Sequence, residues 1–144
     1  MPAEPITQRR RALASCQSLQ PIGEIVMSEL IAALMHANLH DVFGERDDQR
    51  RIEEITRTYT DDVAFIDPDG PVWGHDAVNQ KARELLERAP GFVLAADGPL
   101  YSGRETGCLA WRFGPEGLAP VARGVDIASV KDGRIASIRT LLAD

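Results

Sequence analysis

Cysteine, aromatic residues, basic excess and long apolar runs are all scarce in this 144-residue chain, and each scarcity removes a class of protein. Two cysteines, Cys16 and Cys108, form no redox or metal-ligand spacing, so a disulfide scaffold is not expected and the reduced cytoplasm is the default compartment. A net charge of −6 argues against nucleic acid, whose phosphates demand an excess of Lys and Arg. The one basic cluster, Arg9-Arg10-Arg11, is short and reads as a solvated tail. The most apolar stretch, Ile25–Met35, is broken by Glu29 and preceded by Glu24, so no membrane span is expected. No GxSxG, P-loop or GxGxxG is present, which removes the serine-hydrolase and nucleotide-motif readings.

What remains has the composition of one soluble domain, 44% hydrophobic and 26% charged, with enough length to bury a continuous core. Residues 1–21 carry Pro2, Pro5 and Pro21 and read as a partly ordered extension, leaving 22–144 as a single domain. From Ile22 to about Phe43 apolar residues recur in two adjacent helical stripes, which predicts a helix covered over most of its circumference. Gly44 marks its end, Asp47 or Asp48 caps a second helix over 49–58, and "HDAVNQKARELLERAPG" (75–91) forms a third, with His75 as its cap. A strand over 63–67 stands between the second and third helices. Strand-like runs at 92–101, 105–113, 119–130 and 134–142 follow, with hairpin turns at "GPEG" and "KDGR". The expected fold is α+β: a curved, mainly antiparallel sheet forming a cone, covered by the N-terminal helices and by one helix after the first strand.

Two carboxylates interrupt apolar strands. In "VAFID" the alternation of side chains puts Val63, Phe65 and Asp67 on one face. In "ARGVDIASV" Asp126 shares a face with Ala122, Gly124 and Ala128, whose small side chains leave room beside it. A helix-covered curved sheet encloses an apolar hollow, the usual form of a small-molecule pocket. A carboxyl there is desolvated, which raises its pKa toward the range useful for proton transfer. Each has a bland reading. Asp67 before Pro68 is a turn former. Simple register from a turn at Asp132-Gly133 sets Asp126 opposite Arg139, a cross-strand ion pair. Tyr59, Phe65 and Trp111 are candidate pocket lining or core, and since Trp111 and Arg112 alternate, at most one of them faces the hollow. His36 and His40 share a helix face at a spacing that can hold a metal, but no third ligand accompanies them and no metal is expected.

The element order, together with "YTDDVAFIDPDGPVWGHDAV" and "GVDIASVKDGRIASIRTLL", resembles the cone-shaped superfamily of nuclear transport factor two, which includes the SnoaL-like polyketide cyclases and the ketosteroid isomerases. The resemblance covers most of Ile22–Leu142 and is strongest to the isomerases. It implies a general base at Asp67, which precedes Pro68, and a protonated oxyanion-hole acid at Asp126, the pair of split carboxyl pKa values for which ketosteroid isomerase is the worked case. The isomerases' oxyanion tyrosine falls at His40 or its neighbour Leu39, so His40 is the expected supplementary donor. The function so implied is small-molecule binding, with cofactor-free acid/base chemistry on a small hydrophobic carbonyl compound: isomerisation, cyclisation or hydration. Two rivals stand beside it, a non-catalytic binder of apolar ligands and an interaction module with a vestigial pocket. Outer strand faces carrying Leu109 or Ala110 and Val125 or Ala128 are apolar enough to imply a homodimer through the sheet in all three cases.

Overall fold

The computed structural model describes residues 22–144, with side chains from Val26 onward; the expectations for 1–21 and Cys16 lie outside the described residues. Helix α1 (Ile22–His36) runs into a six-residue π-helical segment, Ala37–Val42, in place of one continuous α-helix. The Phe43 N–H bonds to the Asn38 carbonyl at 3.1 Å, five residues back. The inward face nevertheless keeps α-helical spacing, buried Ile31, Leu34 and Met35 being continued by the next turns. Asn38, Leu39 and Val42 are buried, whereas His40 and Asp41 are exposed. Helix α2 (Asp48–Thr58) is capped by Asp47, whose carboxylate accepts the Arg50 N–H at 2.9 Å.

Strand β1 (Tyr59–Asp67) begins four residues earlier than its apolar run implies. Strand β2 (Gly70–Trp73) folds back on it, and helix α3 (His75–Arg88) follows. His75 does not cap that helix: the cap is Gly74, at φ 90°, with no side-chain bond. Instead the His75 ring donates from Nε2 to the Tyr59 and Thr60 carbonyls, both at 3.0 Å, where the pairing of β1 shifts register. Strands β3 (Phe92–Ala96) and β4 (Tyr101–Gly103) are separated at Gly98-Pro99, and β5 (Thr106–Pro115), β6 (Ala122–Lys131) and β7 (Arg134–Leu142) complete the sheet. Asp132 and Gly133 both have positive φ, the mirror-image turn that suits the twist of a β6–β7 hairpin. "GPEG" is not a tight turn. Strand β5 runs on through Pro115, and the connection to β6 folds back so that the Val121 N–H bonds to the Phe113 carbonyl at 2.8 Å.

The sheet order is β2-β1-β7-β6-β5-β3, with β4 beside β5; β1 and β7 run parallel and the remaining pairs antiparallel. One face carries Val63, Phe65, Leu109, Trp111, Phe113, Ala128 and Ile138 into a core shared with the helices. At Gly107 helix α1 approaches β5 so closely that an added Cβ would stand 2.7 Å from Ile31 and 3.1 Å from Met35. Arg46 holds the far end of α3 to β3, donating to the Leu86, Ala89 and Phe92 carbonyls at 2.9, 2.9 and 3.0 Å. The Leu86 and Ala89 carbonyls lie at the helix end, where the guanidinium adds to the Ala89 and Phe92 N–H bonds that they accept at 3.4 and 3.2 Å. On the other face lie Ala110, Val125 and Ile127, so of the alternatives named above Ala110 and Val125 point outward while Leu109 and Ala128 are core.

Candidate active site

Between α3, the π-helical segment and the inner face of the sheet lies a cavity of about 440 Å³. Leu39, Phe43, Phe65, Leu94, Trp111 and Phe113 form apolar walls, with Asp126 and Thr140 among the polar lining. The helical spacing of α3 places Lys81, Glu84, Leu85 and Arg88 on one stripe that faces the cavity, and Asp67 and Asp69 line it from the β1–β2 turn.

Asp126 is the buried member of the two expected carboxyls, with 8% of its surface exposed. Its Oδ1 accepts from the Trp111 indole N–H at 3.0 Å and from the Thr140 hydroxyl at 2.8 Å. Its Oδ2 accepts from the Asn38 amide at 3.0 Å. Behind Asn38, the Tyr59 hydroxyl donates to the amide oxygen. An indole N–H can only donate, and Tyr59 holds the Asn38 carboxamide with its NH₂ toward the carboxyl. The hydrogen bonds of Tyr59, Asn38, Trp111 and Thr140 therefore all run toward Asp126. Burial raises the Asp126 pKa above its ordinary 3.8, against the opposing pull of the Thr140, Trp111 and Asn38 bonds, and no cation pairs with it among the described residues. Burial likewise pushes the Tyr59 phenol well above its ordinary 10.0, helped by the Asp126 charge, so Tyr59 stays a neutral donor.

Arg139 is not the partner of Asp126. Strand β7 carries one extra residue near Ala136, where the register shifts from Val130↔Ile135 to Ser129↔Ser137. The shift places Thr140 opposite Asp126 and turns Arg139 to solvent beside Ile127. This β-bulge converts a prospective ion pair into a hydrogen-bonded carboxyl.

Asp67 reaches the cavity as expected, but not as an isolated carboxylate. Its Oδ2 is 2.9 Å from the Lys81 ammonium, with side chains only 16% and 21% exposed, and its Oδ1 accepts the Asp69 N–H at 2.9 Å. Both oxygens are thus engaged, one in an ion pair and one in the turn. Phe65 and Trp111 line the cavity; Tyr59 does not, because it lies fully buried beneath it. His40 is the clearest departure. It faces solvent, its ring stacked on His36 with centroids 6.1 Å apart, while its neighbour Leu39 lines the cavity and Asn38 supplies the polar group from this segment. Neither Asn38 nor Lys81 stands out in the sequence. A buried Asn within an apolar helical stripe was the available signal for the first, and Lys81 falls within an ordinary run of charged helix residues. Among the described residues no cluster of three metal-ligating side chains forms, and no helix is long and apolar enough to cross a membrane.

Solved structures share this architecture at low identity. A candidate isomerase of the SnoaL-like family from Agrobacterium tumefaciens str. C58 superposes with a TM-score of 0.70 at 21% identity, covering 79% of this chain and 95% of that one. A candidate SnoaL-like polyketide cyclase from Jannaschia sp. CCS1 gives 0.64 at 12% identity, covering 80% and 85%. A candidate ketosteroid isomerase from Kribbella flavida DSM 17836 gives 0.60 at 16% identity, covering 81% and 79%. These likenesses establish the fold, which is also described as cystatin-like in a neighbour from Methylobium petroleophilum PM1. No curated protein matches the chain. Residues 36–138, which hold Asn38, β1 with its Asp67, the α3 stripe and Asp126, match the SnoaL-like domain, and the chain belongs to that family.

Proposed function

We propose that this protein binds a small apolar carbonyl compound in its cavity and moves a proton on it by acid/base chemistry that needs no cofactor, with Asp126 as the proton-exchanging group. The observation that carries the reading is a buried carboxyl, free of any paired cation among the described residues, that lines an apolar cavity. Of its two oxygens, Oδ1 already accepts two hydrogen bonds and Oδ2 one. The open lone pair, and so the site for a proton, is on Oδ2. Ionised, Asp126 takes a proton from carbon next to a carbonyl; protonated, it returns that proton to another carbon or to oxygen. Isomerisation and aldol-type cyclisation are built from these two steps; in hydration Asp126 takes its proton from the adding water and delivers it to the carbon next to the carbonyl. The neighbours from Agrobacterium and Jannaschia support isomerisation and cyclisation only through what they are described as.

Hydrogen–deuterium exchange tests the reading whatever the natural substrate is. Cyclic and aryl ketones that raise the melting temperature are incubated with the protein in D₂O, and the α-C–H signals are followed by NMR. Protein-dependent loss of those signals, absent with Asp126→Asn, is the expected result. Stabilisation by ligand with no exchange would make the protein a binder only. The outer sheet face, with Ala110, Val125, Ile127 and a half-exposed Leu141, supports pairing of two copies sheet to sheet. Sedimentation velocity should accordingly give a particle of about twice the 15.8 kDa chain mass. A monomer at micromolar concentration would remove that part.

A further inference from the structure

Lys81 is a cation at the wall of an apolar cavity, and the proton transfer assigned to Asp126 gives it no task. Its ammonium stands 2.9 Å from Asp67 and 3.5 Å from Asp69. Asp69 is 87% exposed, so Asp67 is the partner that fixes the position. Asp67 is itself held by the Asp69 N–H on its other oxygen. The contact with Asp67 raises the Lys81 pKa, against a smaller loss from burial, and so favours the ammonium. An ammonium has three N–H donors. Two face carboxylates, and the third meets no acceptor among the described residues.

We propose that Lys81 is the group that holds a negatively charged oxygen of the bound molecule, and that Asp67 is its positioning partner rather than the base. The proposal rests on the acid/base reading above and names the other half of the reaction. Asp126 accepts the proton from carbon; the C–H electron pair becomes the C=C bond of an enolate, and the carbonyl π pair moves onto oxygen. Lys81 donates a hydrogen bond to that oxygen. Return of the proton from Asp126 to the same carbon, or to the far end of the dienolate where the ketone carries a neighbouring C=C bond, restores the carbonyl, and nothing is consumed. Base and oxyanion holder are thereby exchanged relative to the arrangement that the isomerase resemblance implies. The class of ligand follows: a flat, apolar molecule with an oxygen that carries charge as an enolate or phenolate, short enough for that oxygen to reach α3 while its carbon framework lies against Trp111 and Phe65.

The probe is 4-nitrophenol, whose neutral and ionised forms differ in absorbance. Both are titrated into the protein, the neutral form at acidic pH and the anion at alkaline pH. Asp126, Asp69, Glu84 and Arg88 share the cavity with the Lys81–Asp67 pair, so each variant is compared with wild type at the same pH. In Lys81→Met the anion should bind about ten-fold or more weakly than in wild type, the scale of one charge-assisted hydrogen bond, with the neutral form within about two-fold. Lys81→Arg, which keeps a cation, should recover anion binding in part, and guards against a folding defect in the methionine variant. Asp67→Asn, which removes the carboxylate that positions the Lys81 ammonium, should weaken anion binding by less than Lys81→Met does and leave the neutral form within about two-fold; anion affinity equal to wild type would overturn the positioning role of Asp67. Equal anion affinity in wild type and Lys81→Met, with the neutral form bound by both, overturns the role of Lys81 and leaves the cavity reading standing. Binding of neither form by any variant overturns both.

Discussion

Asp126→Asn should abolish α-proton exchange, with a loss of about 10²–10⁴-fold, the usual contribution of a positioned acid/base group. It should also change how stability depends on pH. Burial raises the pKa of Asp126 in the folded chain, so between the ordinary 3.8 and the raised folded value the native state binds more protons than the unfolded one. Stability drawn from this group is therefore complete below 3.8 and is lost as pH rises through the folded value. Urea unfolding of wild type and variant across that range should show wild type losing stability relative to the variant as pH rises; a constant difference would mean that Asp126 titrates normally. Superimposed is a cost that does not depend on pH. An amide at 126 can accept from Trp111 and Thr140 through its oxygen, but its NH₂ then meets the Asn38 NH₂. If Asn38 flips to relieve this, it presents its NH₂ to Tyr59, whose hydroxyl proton is left without an acceptor. One buried donor stays unsatisfied in either case, at about 1–3 kcal/mol. Asp126→Asn is thus chemically conservative and structurally frustrated. Adding Asn38→Asp to it, which restores an acceptor between the two donors, should return part of the lost stability.

Gly124→Ala is the second large effect expected, at a residue that touches no ligand. Gly124 pairs with Trp111 across β5 and β6, and an added Cβ would run into the Trp111 ring. The same Cβ would lie 2.5 Å from the Leu141 carbonyl oxygen, which belongs to the β7 backbone and cannot retreat without opening the ladder. Overpacking of this kind costs about 1–3 kcal/mol, which for a chain of this length lowers the melting temperature by roughly 3–10 °C. The indole must also lift from the sheet, which breaks its bond to Asp126 and pushes its ring into the cavity. Only Trp73 and Trp111 are present, and Trp73 is 65% exposed, so in a Trp73→Phe background the emission reports on Trp111 alone. A blue or red displacement of that emission, together with lost ketone binding, is expected. Unchanged emission and melting temperature in Gly124→Ala would show that the glycine is incidental to the placement of the indole.

Legibility differed between fold and site for a physical reason. The α+β order, the strands ending in Asp67 and Leu142 and the inward face of Val63, Phe65 and Asp67 follow from local periodicity, because burial on one face writes a period of two or 3.6 into the chain. The π-helical turn at 37–42 was not legible, yet the helical period runs on through it, with Asn38, Leu39 and Val42 continuing the buried stripe of Ile31, Leu34 and Met35. That period puts Asn38 and Leu39 in the interior and His40 in solvent, whereas the isomerase resemblance had placed the donor at His40.

Composition and periodicity alone settled that this chain folds as a helix-covered curved sheet and that two carboxylates interrupt its apolar strands. Whether each carboxylate stands free or paired was decided by contacts between distant segments. The β7 bulge chose Thr140 over Arg139 for Asp126, and the packing of α3 against the β1–β2 turn gave Lys81 to Asp67. A side chain's periodicity reports only which face it is on. Its partner depends on register and on the approach of other elements, and therefore so does its chemistry.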